Sequence, residues 1–599
     1  MKIQLRSQKR GVHFIAQCLL FVIPFTTLLA TGLGQETRRV PAEPFPIKEK
    51  ENAEYWKNKG RKAVNEAKAL DAKRRAGLEA KGVATPTNVI LFVGDGMGIA
   101  TITASRILAG QMSKEYGGSK NYSGEDNSLS FEQFPYLALS KTYSANQQTS
   151  DSAPTMTAMV TGVKANDGAI SVDSSVARSD YTTVSEQSKL KTILEIAEEQ
   201  GRSTGVVSTA RLTHATPAAC YAHSPDRNWE SDYDFARLAE NAKKSNLPDL
   251  ALRLENAGRH FPDIARQLIE FPGNGLEVAL GGGRSKFLPK GVTDPENSVD
   301  PKTGKKRQGE RLDKDLTVEW KKASNKRPKP QFVWRKEDFD KITPANTTHL
   351  LGLFEYDHMR YDYDRRNYEN DPVLKQKNDE ARKRSEPYEA GEPSLAEMTV
   401  KAIDILSQNP KGYFLMVEAG RIDHAHHEGR AYPALTDTIA LSNAVRAAKD
   451  RVNPSNTLII VTADHSHTFT MAGYPTRGNP ILGFVRSRNE VTGELEDKLA
   501  QDQRGQPYTT LGYANGPGYR EKPDSSSISD PTDPRYLQES TYPLAAETHG
   551  GEDVAIFANG PQAYLFHGIQ EQTYIFYVML EALNPPTEAL NLPRRRRRF

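Results

Sequence analysis

Residues 88–98 read NVILFVGDGMG, in which a continuous apolar run at 89–93 leads directly into a glycine-rich turn that carries Asp95. Runs without a polar face are typical of strands in a parallel sheet that helices cover on both sides. The sequence therefore predicts an α/β fold with a large central, mostly parallel sheet flanked by helices. The other apolar runs of this kind, each separated from the next by helical patterns, are 204–207, 276–280, 413–417, 457–461 and 554–557.

Length and composition limit the class of protein. The chain has 599 residues, which suits either several domains or one large α/β domain with insertions. The net charge is +3, and four of the basic residues lie in the first 34 positions. The rest of the chain therefore has no excess of positive charge that would attract a polyanion. We therefore expect no nucleic-acid partner. The apolar content of 37% is too high for a disordered chain.

The N-terminus resembles an export signal, because basic residues precede an apolar run at 14–30 and small residues up to Gly34. We predict a signal peptide over 1–34 and a secreted or periplasmic protein. An uncleaved anchor is the alternative, although Gln17 and Pro24 weaken a spanning helix. The C-terminus lacks the hydrophobic tail of a lipid-anchor signal, so we expect no stable membrane anchor. Cys220 is the only cysteine after the signal, which excludes an intrachain disulfide in the mature chain.

The remaining sequence divides into an N-terminal helical arm (35–84), a main domain (85–585) and a basic tail (586–599) with five consecutive arginines. Two stretches interrupt the alternation of strands and helices. Residues 356–392 are dense in charged residues and tyrosine, and 470–542 are rich in Gly, Pro and Ser. Both stretches indicate surface insertions.

Acidic residues follow three of the predicted strands. Asp95 follows the run 89–93, Glu418 follows 413–417, and Asp464 follows 457–461. The carboxyl ends of parallel strands share one edge of the sheet, so these carboxylates should lie close together. They would repel each other unless cations lay among them. The sequence therefore predicts a metal cluster.

Histidines near these carboxylates indicate zinc. Asp423 and His427 are four residues apart and share a helical face, whereas Asp464 and His465 are adjacent at a strand end. His549 is a further candidate. Imidazole and carboxylate without thiolate suit catalytic zinc, and a purely structural role is less plausible for the whole set than for any one histidine. We interpret His424, His426 and His467 as outer or pocket-lining groups.

Ser152 is a candidate nucleophile. It lies in TSDSAPT, residues 149–155, which suggests a turn that opens a helix. A helix N-terminus can bind phosphate, and a metal next to the hydroxyl would activate it. Taken alone, the segment is better explained as an ordinary helix cap.

Together these motifs closely resemble those of the alkaline phosphatases, over roughly residues 50 to 585. The resemblance implies hydrolysis of small phosphate monoesters at alkaline pH, with residues 85–585 as the catalytic domain, 470–542 as a crown-like insertion, and a homodimer. The matching stretches are GDGMG (94–98), DSA (151–153), TGVK (161–164), THATPA (213–218), the segment 418–427, TADH (462–465) and THGGED (548–553).

The resemblance also assigns roles to residues. Ser152 would form a covalent phosphoserine, and Arg227 would bind two phosphate oxygens. The implied cofactors are two zinc ions and one magnesium. Their ligands would be Asp423, His427 and His549 for the first zinc, Asp95, Asp464 and His465 for the second, and Asp95, Thr216 and Glu418 for magnesium, with His214 bound through water.

Several features resemble the animal enzymes, including histidine at position 214. In animal members, positions matching Glu296, the Phe354 carbonyl, Glu355 and Glu392 hold calcium, so a calcium site is possible here. The alternative is two unrelated acidic loops. The disulfides and the lipid-anchor signal of the animal enzymes are missing.

Three other functions fit these residues less well. A sulfatase would need arginine where this chain has Met156. Related phosphodiesterases generally lack a residue equivalent to Arg227, which favours monoesters. A non-catalytic, metal-stabilised binding protein would have no need of Ser152 or Arg227.

Overall fold

The computed structural model describes Ala69 and residues 87–583, apart from 115–120, 323, 325–326, 371, 385–389 and 522–528. The predicted signal peptide and basic tail lie outside the described residues, as does the predicted arm except for Ala69. Within the part that is described, no helix has the length and apolar character needed to cross a membrane.

The strands of the described chain are β1 Asn88–Gly94, β2 Tyr136–Lys141, β3 Ser203–Arg211, β4 Val278–Gly282, β5 Pro330–Val333, β6 His349–Leu353, β7 Tyr413–Ala419, β8 Thr457–Ala463, β9 Ser466–His467, β10 Phe469–Met471, β11 Leu511–Gly516, β12 Ser540–Pro543, β13 His549–Gly550, β14 Val554–Asn559 and β15 Ile569–Glu571. Ten of them form one large sheet in the order β15-β2-β14-β8-β1-β7-β3-β4-β6-β5. β14 is antiparallel to both of its neighbours, and the other pairs are parallel. The predicted α/β class is confirmed, and all six predicted runs are strands of this sheet.

Helices cover both faces of the sheet. Alternate side chains of β1 point to opposite faces, so Ile90 and Phe92 join one apolar core while Leu91 and Val93 join the other. The helices of the described chain are α1 Ile99–Gln111, α2 Ser152–Thr161, α3 Ile193–Glu199, α4 Ala215–Ala218, α5 Asp232–Lys244, α6 Pro248–His260, α7 Ile264–Ile269, α8 Leu316–Trp320, α9 Lys336–Asp340, α10 Asp362–Asn370, α11 Pro372–Lys383, α12 Leu395–Leu406, α13 Arg421–His427, α14 Ala431–Arg451 and α15 Tyr574–Leu583. α1, α12 and α14 pack on the first face, and α2, α3 and α15 pack on the second.

Two smaller sheets lie apart from the large one. β10, β11 and β12 form a three-stranded sheet within the segment predicted to be an insertion, and β9 pairs with β13. In the β9–β13 pair, His467 lies opposite His549, and Ser466 lies opposite Gly550. This pairing brings residues from the end of the chain next to the end of β8.

Candidate active site

The carboxyl ends of the central parallel strands meet at one edge of the sheet. In the register, Val93 of β1 lies opposite Glu418 of β7 and Thr462 of β8. Asp95 and Asp464 follow immediately after β1 and β8, so the three carboxylates come together. Glu418 belongs to β7 itself, whereas the sequence suggested that it follows the strand.

Ser152 is the first residue of α2, as expected from the sequence. Asp151 caps this helix, because its Oδ2 accepts a hydrogen bond from the main-chain N–H of Ala153 at 3.3 Å. Ser152 Oγ lies 3.4 Å from Asp95 Oδ1 and 3.2 Å from His465 Nε2. The hydroxyl thus faces a carboxylate and an imidazole at the positive end of a helix.

Asp423, His427 and His549 form a first group of metal-type donors. The two Nε2 atoms are 3.0 Å apart, and each is 3.3 Å from Asp423 Oδ1. The Nδ1 atoms face the main-chain carbonyls of Glu547 and Ser150 at 2.6 and 2.7 Å. A carbonyl oxygen can only accept a hydrogen bond, so the Nδ1 atom of each histidine carries a proton. In the neutral form of each ring, Nε2 then has a lone pair that points toward this group. Converging lone pairs fit a cation.

His467 also lies within reach of this group. Its Nε2 is 2.8 Å from Asp423 Oδ1, and its Nδ1 contacts the Glu547 carboxylate. Although burial opposes protonation, the charge of Glu547 raises the pKa of His467 to about 10. With each ring nitrogen against a carboxylate, His467 can hold Asp423 in place by hydrogen bonding.

Asp95 belongs to two further groups. One is Asp95 with Asp464 and His465, and the other is Asp95 with His214 and Glu418. At the latter group, four buried atoms have no hydrogen-bond partner among the described residues, namely Asp95 Oδ2, His214 Nδ1, Thr216 Oγ1 and Glu418 Oε1. Buried polar atoms without partners are costly in a folded protein. The three oxygen atoms among them, on Asp95, Thr216 and Glu418, are the kind of ligand that a hard cation takes.

The carboxylates repel one another in the absence of cations. Burial, followed by the negative charges of Asp464 and Asp423, raises the pKa of Asp95 well above its usual range. Burial and the charge of Asp464 also raise the pKa of Glu418 to about 8, although the Ser208 hydroxyl donates a hydrogen bond to it. Divalent cations would reverse this preference and favour the ionised forms.

The metal-depleted protein should therefore lose stability as the pH rises. An acid whose pKa is raised by folding contributes its full stability below its unfolded pKa, and the contribution is lost as the pH approaches the folded pKa. For Glu418 the window runs from about 4.5 to about 8. After chelation, we expect the urea concentration at the unfolding midpoint to decrease as the pH is raised from 5 to 8. With zinc and magnesium present, this decrease should be much smaller. Equal slopes in the two samples would contradict the assignment of these groups to metals.

Arg227 connects the start of α2 with the third donor group. Its Nη1 donates to Asp151 Oδ1, and its Nη2 lies 2.9 Å from His214 Nε2. The charge of Arg227 lowers the pKa of Asp151 despite the opposing effect of burial. The guanidinium is thus held as a planar fork beside Ser152.

The residues predicted to bind calcium also approach one another. Arg284 Nη2 lies 2.6 Å from Glu296 Oε2, and Arg360 Nε lies 3.5 Å from Glu392 Oε1 and 3.8 Å from Glu355 Oε2. Burial and the charge of Glu355 raise the pKa of Glu296 to about 7 and that of Glu392 well above its usual range. Among the described residues, Glu392 Oε1 is buried and has no hydrogen-bond partner, although the Arg360 guanidinium pairs with it at 3.5 Å. Over the described residues, these carboxylates do not converge as tightly as the three groups above.

Comparison with known proteins identifies the family. A family model described as alkaline phosphatase matches residues 86–584. The chain belongs to the alkaline phosphatase family. It is 39% identical over 546 residues to the tissue-nonspecific alkaline phosphatase isozyme of Gallus gallus, and the match covers 90% of this chain and 91% of the relative. The corresponding human isozyme is 38% identical over 541 residues, covering 90% and 89%. The alkaline phosphatase of Gadus morhua is 38% identical over 542 residues, covering 90% and 98%.

A solved structure agrees on the fold. The alkaline phosphatase of Thermus thermophilus superposes with a TM-score of 0.50 at 22% identity, over 85% of this chain and 95% of that one. The relatives support a phosphoric monoester hydrolase that acts on small phosphate monoesters and uses metal cofactors. The three donor groups provide places for such metals in this chain.

Three residues that contact the site were not predicted from the sequence. Ser208 bonds Glu418 but follows an apolar run without any chemical signature. Glu547 holds His467, and its position two residues before His549 could have suggested this role. His358 lies in the stretch 356–392 that was interpreted as a surface insertion, yet its ring packs against His214 and His424.

Proposed function

We propose that this alkaline phosphatase works through a covalent phosphoserine on Ser152, with two zinc ions and one magnesium ion. The observation that carries the proposal is the position of Ser152 Oγ, at a helix start and close to both Asp95 and His465. Arg227, beside the same helix start, would bind two phosphate oxygens. Asp151 would hold the guanidinium in place while phosphate enters and leaves.

The first half-reaction transfers the phosphoryl group to the protein. Ser152 Oγ gives up its proton to solvent, attacks phosphorus and forms an O–P bond, while the ester O–P bond breaks and the departing alcohol oxygen takes a proton from solvent. Arg227 and the positive end of the α2 dipole would offset the negative charge of the phosphoryl oxygens. In the second half-reaction, water attacks phosphorus, the serine O–P bond breaks, Ser152 regains a proton and inorganic phosphate leaves.

The metals would be divided among the three donor groups. Asp423, His427 and His549 would hold the first zinc, Asp95, Asp464 and His465 the second, and Asp95, Thr216 and Glu418 the magnesium, with His214 bound through water. Bound there, these ions would offset phosphate charge and lower the pKa of hydroxyl groups and water. His467 and Ser208 would keep Asp423 and Glu418 oriented.

We also propose a calcium ion at Glu296, the Phe354 carbonyl, Glu355 and Glu392. The burial of the Glu392 carboxylate and the mutual repulsion of the carboxylates support it. Arg284 and Arg360 already offset part of this charge, so a bound ion would share its ligands with two guanidinium groups.

The protein is further proposed to be an exported homodimer, in which residues 470–542 form the crown-like contact. Two large side chains in that segment support a covered surface, since Tyr474 and Val491 are each 94% exposed in the single chain. Export rests on the basic and apolar pattern of residues 1–34.

Replacing Arg227 tests the proposed substrate class. A chromogenic phosphate monoester, the matching diester and the matching sulfate would be compared at pH 7 and 9.5, before and after chelation and metal readdition. We expect the wild type to favour the monoester and to need both zinc and magnesium. Arg227→Ala should lower kcat/KM for the monoester by roughly 10²-fold and for the diester by much less, because the lost pair is bidentate and charged.

The matched control is Arg253→Ala, which removes an exposed arginine whose partner is Asp180. It should leave all three rates unchanged. A wild type that prefers the diester or the sulfate would contradict the proposed role of Arg227. A metal-replete protein with no turnover at all would favour a structural role for the donor groups.

A further inference from the structure

Three histidine rings pack together beside the third donor group, and we call His214, His358 and His424 the histidine cluster. The ring centroids of His358 and His424 are 4.1 Å apart, and each lies 5.3 Å from that of His214. All three pairs meet edge to face. The cluster therefore encloses one side of the His214 imidazole.

His214 has few other restraints on its orientation. It precedes α4 as the N-cap residue, but its side chain makes no capping hydrogen bond. Nδ1 has no hydrogen-bond partner among the described residues, and Nε2 contacts Arg227. Arg227 is proposed to bind phosphate, so its contact with His214 would change during turnover. A fixed contact on the opposite side is needed to keep the ring facing Asp95 and Glu418.

His358 is itself firmly anchored to the strand that leads to His214. The main-chain N–H of Arg211, at the end of β3, donates to His358 Nδ1 at 3.1 Å. The same arginine binds Asp357 Oδ1 at 2.6 Å. The next residue, Met359, donates its N–H to Thr209 of β3 at 3.0 Å.

We propose that His358 is a positioning residue for the third metal group and sets the orientation of His214 by ring packing. The inference rests on the proposed magnesium site at Asp95, Thr216 and Glu418. Groups that orient the partners of a metal commonly change its affinity by about 10- to 100-fold when they are removed. The effect should reach the third cation and leave the two zinc groups unchanged.

The test uses the full-length protein loaded with zinc, and Mn²⁺ as the probe of the third group, followed by electron paramagnetic resonance. His358→Asn keeps an acceptor for the Arg211 N–H but removes the ring, so Mn²⁺ affinity should fall about tenfold with little change in Tm. His358→Phe keeps a ring but removes the acceptor. It should lower Tm, because a buried N–H loses its partner, yet retain Mn²⁺ affinity within about threefold.

A matched control is His349→Asn, which alters another buried histidine, one that contacts the Asn274 carbonyl at 3.1 Å. It should not change Mn²⁺ affinity. In a His214→Ala background, His358→Asn should have no additional effect. The positioning role would be overturned if Mn²⁺ affinity followed Tm across the variants. It would also be overturned if His358→Asn lowered Mn²⁺ affinity by the same factor in the His214→Ala background. A wild type that binds no third cation would overturn the proposed magnesium site as well, and so the two failures are distinguishable.

Discussion

Ser152→Ala should abolish most of the turnover of a phosphate monoester while leaving the protein folded and metal-loaded. We expect kcat/KM to fall at least about 10³-fold, because the variant has no oxygen that can accept the phosphoryl group and must rely on direct attack by water. The side chain is small and only 2% exposed, so its loss should hardly change packing. Acid quenching with labelled substrate should trap a phosphorylated wild type and an unlabelled variant.

Ser105→Ala is the appropriate control for this experiment. Ser105 is also a fully buried serine on a helix, α1, and its hydroxyl has no hydrogen-bond partner among the described residues. Its replacement should leave both turnover and labelling unchanged. Ser152→Ala with nearly normal turnover, or with label retained on another residue, would refute the assignment of the nucleophile.

Asp95→Asn should impair two metal groups at once, because Asp95 contributes to both the second and the third. We expect kcat/KM to fall by about 10³-fold, since a metal ion contributes several kcal/mol to charge stabilisation in the transition state. Metal analysis after dialysis should show loss of magnesium and of part of the zinc. The zinc at Asp423, His427 and His549 should remain.

The difference in melting temperature between the Asp95→Asn variant and the wild type should change sign with metal content. In the chelated protein, Asp95→Asn removes one of several buried carboxylates that repel each other, so the variant should melt above the wild type at pH 8. With metals present it should melt below the wild type, because a ligand is lost. A variant that is less stable than the wild type under both conditions would show that Asp95 matters mainly for packing.

Much of this arrangement follows from local patterns in the sequence. Apolar runs of strand length predicted the sheet, and parallel strands necessarily bring Asp95, Glu418 and Asp464 to one edge. The direction of β14 was not predictable, because a buried apolar run has the same composition whichever way the strand points. The two-residue strands β9 and β13 are too short to leave any periodic signal.

Long-range contacts were the least predictable part of the site. The packing of His358 on His214 depends on how the loop after β6 returns to β3, and charged composition alone suggested an exposed segment. The pairing of Arg227 with Asp151 joins residues 76 positions apart. Its proposed role came from resemblance to a family, because no spacing rule connects a lone arginine with a distant helix start.

The reversed direction of β14 has a consequence for how the protein is made. Because this strand runs against its neighbours, the residues just before it emerge at the edge where the metals would bind, and His549 can reach Ser150 across 399 positions of sequence. The first donor group therefore stays incomplete until His549 has been synthesised and this segment has folded back onto α2. A nascent polypeptide that stops short of His549 cannot assemble this group, so its completion belongs with the most non-local and slowest-forming contacts of the fold.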